Sequence, residues 1–279
     1  MAITNFLSTV WSENLLTALD ANYIGVANCN REFEGDIKGR GSSVKICGVG
    51  NIAIGDYVKN TDMSNPQVLS DTVAELKIDQ AKYFNFQIDD IDRAQSTPKL
   101  MDAAMSVAAN GLANAADSYI FSLHNKSGFT LSIDEPEPQD VIDLIITARK
   151  KLYEKNVSDS SEVVIEVSPE IATLILKAKM SLSTDNSECF ENGYIGSVVG
   201  CKIYVSNNVV TIPDDSGSYT EHKCFVRTKR AIAFAEQLSE INAYRPEKRF
   251  ADAVKGLHLY GASVIYPEEF AVLNINVLG

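Results

Sequence analysis

PKLMDAAMSVAANGLANAADSYIFSLHN, residues 98 to 125, is the stretch on which the fold turns. Thr97 and Pro98 supply a cap and a first-turn proline, and the Ala-rich run continues to about Leu123, broken only by Gly111. At 1.5 Å per residue such a helix spans roughly 39 Å. Met101, Met105, Ala108, Leu112, Ala115 and Tyr119 recur at the helical period, and the alanines let a neighbouring backbone approach closely. A long helix with so narrow an apolar face reads as a strut.

Upstream of it the pattern changes to strands. Across residues 73 to 88, Leu76 and Ile78 and then Phe84, Phe86 and Ile88 alternate with polar neighbours, which predicts a sheet edge or a long β-arm. Asp89, Asp90 and Asp92 follow; counted from Asp90, an EF-hand needs Gly and Glu where Gln95 and Met101 stand, so the acids read as a turn before the helix. Residues 34 to 76 carry Gly35, Gly39, Gly41, Gly48, Gly50 and Gly55, and SSVKICG and NIAIGDYV alternate around Gly48-Val49-Gly50-Asn51, which predicts a hairpin turning there. It has few large apolar residues and is marginal alone. At the start of the chain Leu7, Trp11, Leu15 and Leu19 recur at four-residue steps behind a possible Ser12 cap, a short amphipathic helix that is unstable in water by itself. Both segments are therefore expected to bury their apolar faces against adjacent copies rather than within their own molecule.

Downstream of the strut, Glu135-Pro136-Glu137-Pro138 marks a boundary. Val141, Ile145, Ala148 and Leu152 form one helical face, VVIEV (163 to 167) is a buried-type strand, and Ser168-Pro169-Glu170 starts a helix with the stripe Ile171, Leu174, Ile175 and Ala178. This alternation predicts a compact α/β unit. Residues 181 to 192 and 211 to 222 read as acidic loops flanking the strand CKIYVSN, in which Cys201, Ile203 and Val205 share a face. RAIAFAEQ, GLHLYGASVIYP and EFAVLNINVLG are three further strands, the last with Ala271, Leu273, Ile275 and Val277 on one side. The fold class is α+β.

The 279 residues are 45% hydrophobic and 22% charged, enough apolar surface for a real core. Lys+Arg number 25 against 37 Asp+Glu, net -12, so no global positive field exists to grip a phosphate backbone. No stretch approaches a membrane span, and the opening residues have neither a basic n-region nor a small-residue cleavage site, so cytosolic synthesis and no membrane contact are expected. Cys29, Cys47, Cys189, Cys201 and Cys224 are irregularly spaced with no CxxC, which suits a reducing compartment.

Chemistry is sparse. His124, His222 and His258 lie far apart, and His222 with Cys224 has no second pair to complete a tetrahedral metal site. GRGSS and CGVGNIAIGD lack the GK[ST] ending of a phosphate loop, and no GxSxG elbow occurs. Arg227, Lys229, Arg230, Arg245, Lys248 and Arg249 form the one basic concentration, diluted by Glu236, Glu240 and Glu247, and read as a solvated or subunit-contact face. The expectation is no catalytic, cofactor-binding or metal site, and a protein that is not an enzyme.

The strings VWSENLLTALDAN, REFEGDIKGRGSSVKICGVGNIAIGDYVKNTDM, LKIDQAKYFNFQIDDIDRAQS, GYIGSVVGCKIYVSNNV and KRAIAFAEQLSEINAYRPEKRFADAVKGLHLYGASVIYPE occur in this order over nearly the whole chain. In that order and spacing the chain resembles the major capsid proteins of tailed bacteriophages, with the Hong Kong 97 fold. The resemblance implies an N-terminal arm (1 to 34), an extended loop (35 to 75), a peripheral domain with the spine helix (76 to 135), an axial domain (136 to 236) and return strands of the peripheral domain (237 to 279). It implies subunit contacts by Arg40, Lys45, Asp56, Tyr57 and Lys59 in the loop and by Leu7, Trp11 and Leu15 in the arm. The implied function is a coat protein, assembled in the bacterial host cytoplasm into the icosahedral capsid of a virion from pentamers and hexamers, around double-stranded DNA held without sequence-specific contact. Its partners would be a portal and, because the loop begins too early to leave room for a fused scaffolding segment, a separate scaffolding protein. Lys45 and Lys59 lie in the loop, but no motif marks an asparagine for covalent cross-linking.

Two other readings compete. One is an encapsulin-like compartment that encloses an enzyme cargo; the other is a small-molecule enzyme built on the α/β unit with the acidic loops as a lid.

Overall fold

The structure is a computed structural model that describes residues 15, 17–33, 43–49, 59, 71–89, 100–157, 163–181, 194–198, 200–214, 218–248 and 250–278. The strut forms as helix α1 (Leu100–Ser122), prolonged by a 3-10 turn over Leu123–Lys126. Its buried stripe is turned from the expected one: Ala109, Leu112, Ala113, Ala116, Ile120 and Phe121 are buried, while Met105, Ala108, Ala115 and Tyr119 sit half-buried beside them. The shift follows from what α1 touches, because it lies between two sheets and must be apolar toward both.

The smaller sheet has three strands. β1 (Ser43–Val49) and β2 (Asp71–Lys77) form a separate antiparallel ladder; β3 (Gln80–Asp89) is the edge of the sheet β10-β11-β3, with β10 (Ile232–Tyr244) and β11 (Ala251–Val264). All pairings in this sheet are antiparallel, and β10 carries a bulge between Leu238 and Glu240. Among the described residues Ser43–Val49 pairs with Asp71–Lys77, Val49 opposite Asp71, so Gly48 and Val49 lie in a strand; the partner expected for the hairpin falls outside the described residues. NIAIGDYV, Arg40 and the acids Asp90 and Asp92 lie outside the described residues.

The larger sheet has seven strands in the order β4-β12-β9-β5-β7-β6, with β8 added to β9. Its members are β4 (Phe129–Asp134), β5 (Val163–Val167), β6 (Tyr194–Val198), β7 (Cys201–Val205), β8 (Thr211–Pro213), β9 (Tyr219–Thr228) and β12 (Phe270–Leu278). Two expectations are corrected here. The segment 211 to 222 is not one loop, since it holds β8 and the start of β9. The last strand does not return beside β10 and β11; it lies inside the seven-stranded sheet, next to its edge strand, parallel to β4 and antiparallel to β9, and β4 belongs to that sheet as well. Its near-continuous apolar start, FAVL, suits a strand covered on both faces.

Helix α2 (Pro138–Glu154) begins with a capping box in which the Glu137 N–H donates to Asp140 at 2.9 Å, and it buries Val141, Ile145, Ala148 and Leu152 as the sequence predicts. It packs beside α3 (Pro169–Ser181), which buries Ile171, Ile175 and Ala178. Alternation along β9 and β5 sends Glu166, Phe225 and Arg227 to one side, where Phe225 meets Phe121 of α1 at 5.2 Å. On the other side His222 reaches Glu170 in the first turn of α3. The two sheets are joined by crossovers at 229–231 and 267–269, and Glu269 pins both by accepting from Thr228 Oγ1 (2.5 Å) and Arg230 Nε (2.8 Å).

Candidate assembly surfaces

The described residues hold no group of three or more His, Cys, Asp or Glu side chains placed for a metal ion, and no described helix is long and apolar enough to cross a membrane. The polar chemistry of the chain is concentrated instead where segments join. The first joint seats residues 24–28. The backbone N–H groups of Ile24 and Val26 donate to Asp117 of α1 at 3.0 and 2.9 Å. Arg227 of β9 donates to the carbonyls of Asn28 (2.6 Å) and Gly25 (2.9 Å) and, through Nε and Nη2, to both oxygens of Glu166 of β5 (3.0 and 2.9 Å). Asn28 Nδ2 closes the ring onto Glu166 at 3.2 Å. Asp117, Glu166 and Arg227 are all at most 1% exposed. Gly25 fits because a Cβ there would stand 3.3 Å from both Asp117 Oδ1 and the Phe121 ring.

The second joint centres on Glu236 of β10, which accepts from Tyr23 Oη, from Arg31 Nη2 at 2.6 Å and from His258 Nε2 at 2.8 Å. Burial opposes its charge, but the hydrogen bonds from His258 and Tyr23 and the Arg31 guanidinium hold its carboxyl below the usual range. Asn30 then pairs with β10 itself, donating to Ile232 O and accepting from Phe234 N, both at 2.9 Å.

These contacts correct the expectation for Leu15. It is 2% exposed and, with Leu19, Tyr23, Val26 and Cys29, belongs to the chain's own main core. The physical reason is that the buried ionic network offers this segment an internal seat that its helical periodicity does not reveal. Leu7 and Trp11 lie outside the described residues.

The β1–β2 ladder is held differently. Val44, Leu76 and Ile78 pack on Ala233, Ala235 and Leu259 in a small second cluster on the sheet face away from α1, so the base of the ladder also has a partner in its own chain. Gly261 permits the approach, since a Cβ there would lie 2.0 Å from the Lys77 carbonyl oxygen. Lys45 is exposed on β1 opposite Glu75, and Lys59 is exposed in a turn. Asp56 and Tyr57, like Arg40, lie outside the described residues.

Beyond the ladder the same sheet face is open. Tyr83, Leu257, Lys255, Asn85 and Asn242 line a groove of about 380 Å³, with Tyr83 78% exposed. Tyr244 crosses it to donate to Asn85 Oδ1 at 3.2 Å. On the larger sheet Asp134, Glu135, Asp214 and Glu221 line a second, acidic cleft of about 730 Å³.

The sequence places Arg227 on a solvated or subunit-contact basic face; the structure buries it completely inside its own chain, because Glu166 and two carbonyls replace its hydration. Lys229, Arg230, Arg245 and Lys248 do remain exposed. Asp117, Glu166, Tyr23, Glu236 and His258 were not singled out as polar anchors. One signal was available: Glu166 inside VVIEV is an acid in a strand that is otherwise wholly apolar, and a fully buried acid requires a partner.

No protein-family model and no curated protein matches the chain. Solved structures do. One from Mycobacterium phage Che8 is similar over 90% of both chains with 28% identity and a TM-score of 0.71. The capsid of the cyanophage P-SCSP1u is similar over 85% of this chain and 84% of its own, at 13% identity and a TM-score of 0.67. A virus-like particle from Pyrococcus furiosus is similar over 98% of this chain and all (100%) of its own, at 10% identity and a TM-score of 0.58.

Proposed function

We propose that this chain, whose fold is that of the tailed-bacteriophage major capsid proteins, is the coat subunit of an icosahedral shell that encloses double-stranded DNA. The observation that carries this reading is the likeness to the Che8 structure over nine-tenths of both chains. In this reading α1 and the three-stranded sheet form the peripheral domain, and the seven-stranded sheet with α2 and α3 forms the axial domain. Residues 35–75 are the extended loop, of which the β1–β2 ladder is the described base. Copies associate as pentamers and hexamers through heterologous contacts that close into rings, with a separate scaffolding protein and a portal. The shell is assembled in the host cytoplasm and becomes the virion capsid. A net charge of -12 suits a wall past which DNA must move without adhering.

Purified protein, with its scaffold where one is needed, is expected to form shells or capsomers in negative-stain micrographs; a monodisperse monomer under all conditions overturns the proposal. Because Val49 and Asp71 are paired, a two-residue turn can replace residues 50–70 without breaking the ladder. That variant should fold and melt like the full chain yet form no shells.

The Pyrococcus furiosus likeness favours a second reading, a compartment that encloses protein cargo. Particles from the native source that contain DNA support the first reading, and particles that contain an enzyme support the second.

A further inference from the structure

The joint at residues 24–28 contains two buried carboxylates and one guanidinium. Glu166 takes both Nε and Nη2 of Arg227, so the single cation is committed to one acid. Asp117 is left with backbone N–H groups, and it is 1% exposed. The ionisable groups that act on it are Glu166 on β5 and the Cys29 thiol on the segment itself, while Arg227 on β9 is turned to Glu166 and to the carbonyls of Gly25 and Asn28. Cys29 is a neutral neighbour, its thiol pushed up to about 11 by burial. One negative charge too many is thus enclosed whenever the segment is seated and Asp117 is ionised.

We propose that the seat of the N-terminal segment is a proton-linked clasp: docking residues 24–28 onto Asp117 takes up a proton, so the segment is held more tightly in mild acid than at neutral or alkaline pH. Burial pushes the Asp117 carboxyl up from 3.8 to about 6, against the N–H groups of Val26 and Ile24 and with the help of Glu166. When the segment lifts away, Asp117 regains water and its ordinary affinity. A group whose seated pKa is raised holds the proton more strongly when seated, so the stabilisation is full below the ordinary carboxylate range and is lost as pH rises through about 6. With those two values the docking equilibrium weakens about tenfold between pH 5 and pH 7.5. All the groups belong to one chain, so the clasp does not depend on the shell reading.

Hydrogen exchange on the full-length protein tests it. After correction for the intrinsic pH dependence of exchange, protection of the peptide covering residues 20–30 should fall about tenfold more in the wild type than in Asp117→Asn between pH 5 and pH 7.5, while a peptide covering 163–167 shows no such difference. Equal slopes in the two proteins overturn the proposal. If Asp117→Asn does not fold, the carboxyl carbon of Asp117 can be titrated in labelled, sedimented wild-type protein by solid-state NMR. A midpoint near 6 supports the clasp, and one below 4 overturns it.

Discussion

Residues 15–33 and the β1–β2 ladder both meet β10 at Ala233, one by a backbone bridge from Asn30 and the other by side-chain packing, yet they are held in opposite ways. The N-terminal segment puts five apolar residues into the main core and is fixed by directional contacts to Asp117, Arg227 and Glu236. The ladder has its own backbone pairing and, among the described residues, a small seat made by Val44, Leu76 and Ile78 with Ile46 beside them. Apolar contact is non-directional, whereas a buried ionic contact is costly in any arrangement but the satisfied one. The seated segment is therefore directionally fixed, whereas the apolar seat of the ladder imposes no such directional constraint.

The largest expected effect breaks the fixed side. Arg227→Met leaves Glu166 buried without its cation and two carbonyls without a donor, and should cost about 3 to 5 kcal/mol in urea unfolding. Adding Glu166→Leu should recover much of that loss, since an apolar pair of similar volume tolerates the same surroundings. A single variant as stable as the wild type would mean that the network is not what anchors the segment.

The next test sets the two regions side by side. Leu19→Ala empties a fully buried site in the main core and should cost roughly 2 to 5 kcal/mol of global stability. Gly261→Ala pushes a methyl against the Lys77 carbonyl and should cost about 1 to 3 kcal/mol, expressed as faster protease cleavage near 43–77 more than as a lower melting temperature. If Gly261→Ala lowers global stability more than Leu19→Ala does, the ladder is part of the rigid body and the contrast fails.

Much of this arrangement was legible in the residues, and the reasons for success and failure differ by element. α1, α2, α3, β5, β7, β11 and β12 carry their own periodicity, 3.6 or 2, so each can be found from its own segment. Pairing cannot. NIAIGDYV and DTVAELK alternate equally well, and nothing local says which of them Ser43–Val49 will choose. The placement of β12 in the larger sheet is likewise non-local. Leu15 was misjudged for a related reason: an amphipathic stripe shows that a partner surface exists but not whose chain supplies it. Arg227 and Asp117 look like ordinary solvated charges in basic and Ala-rich stretches; only the approach of their neighbourhoods, 110 positions apart in the chain, buries them.

The smallest expected effect sharpens the fixed side by separating its two joints. Tyr23→Phe removes the phenol that donates to Glu236 but keeps the ring against Phe234, so it should cost only about 1 kcal/mol at pH 7. Its pH dependence is the informative part. Glu236 has a folded pKa below its ordinary 4.5, so the contact contributes above that value and is lost as pH falls through the lower, folded one. The melting difference between wild type and Tyr23→Phe should thus be constant from pH 7 to pH 5 and close only below about 4.5, whereas the Asp117 joint changes between pH 5 and 7.5 in the opposite direction. A difference that already varies between pH 7 and pH 5 would mean that the two joints titrate as one unit, and the segment would then be released by a single event rather than by two.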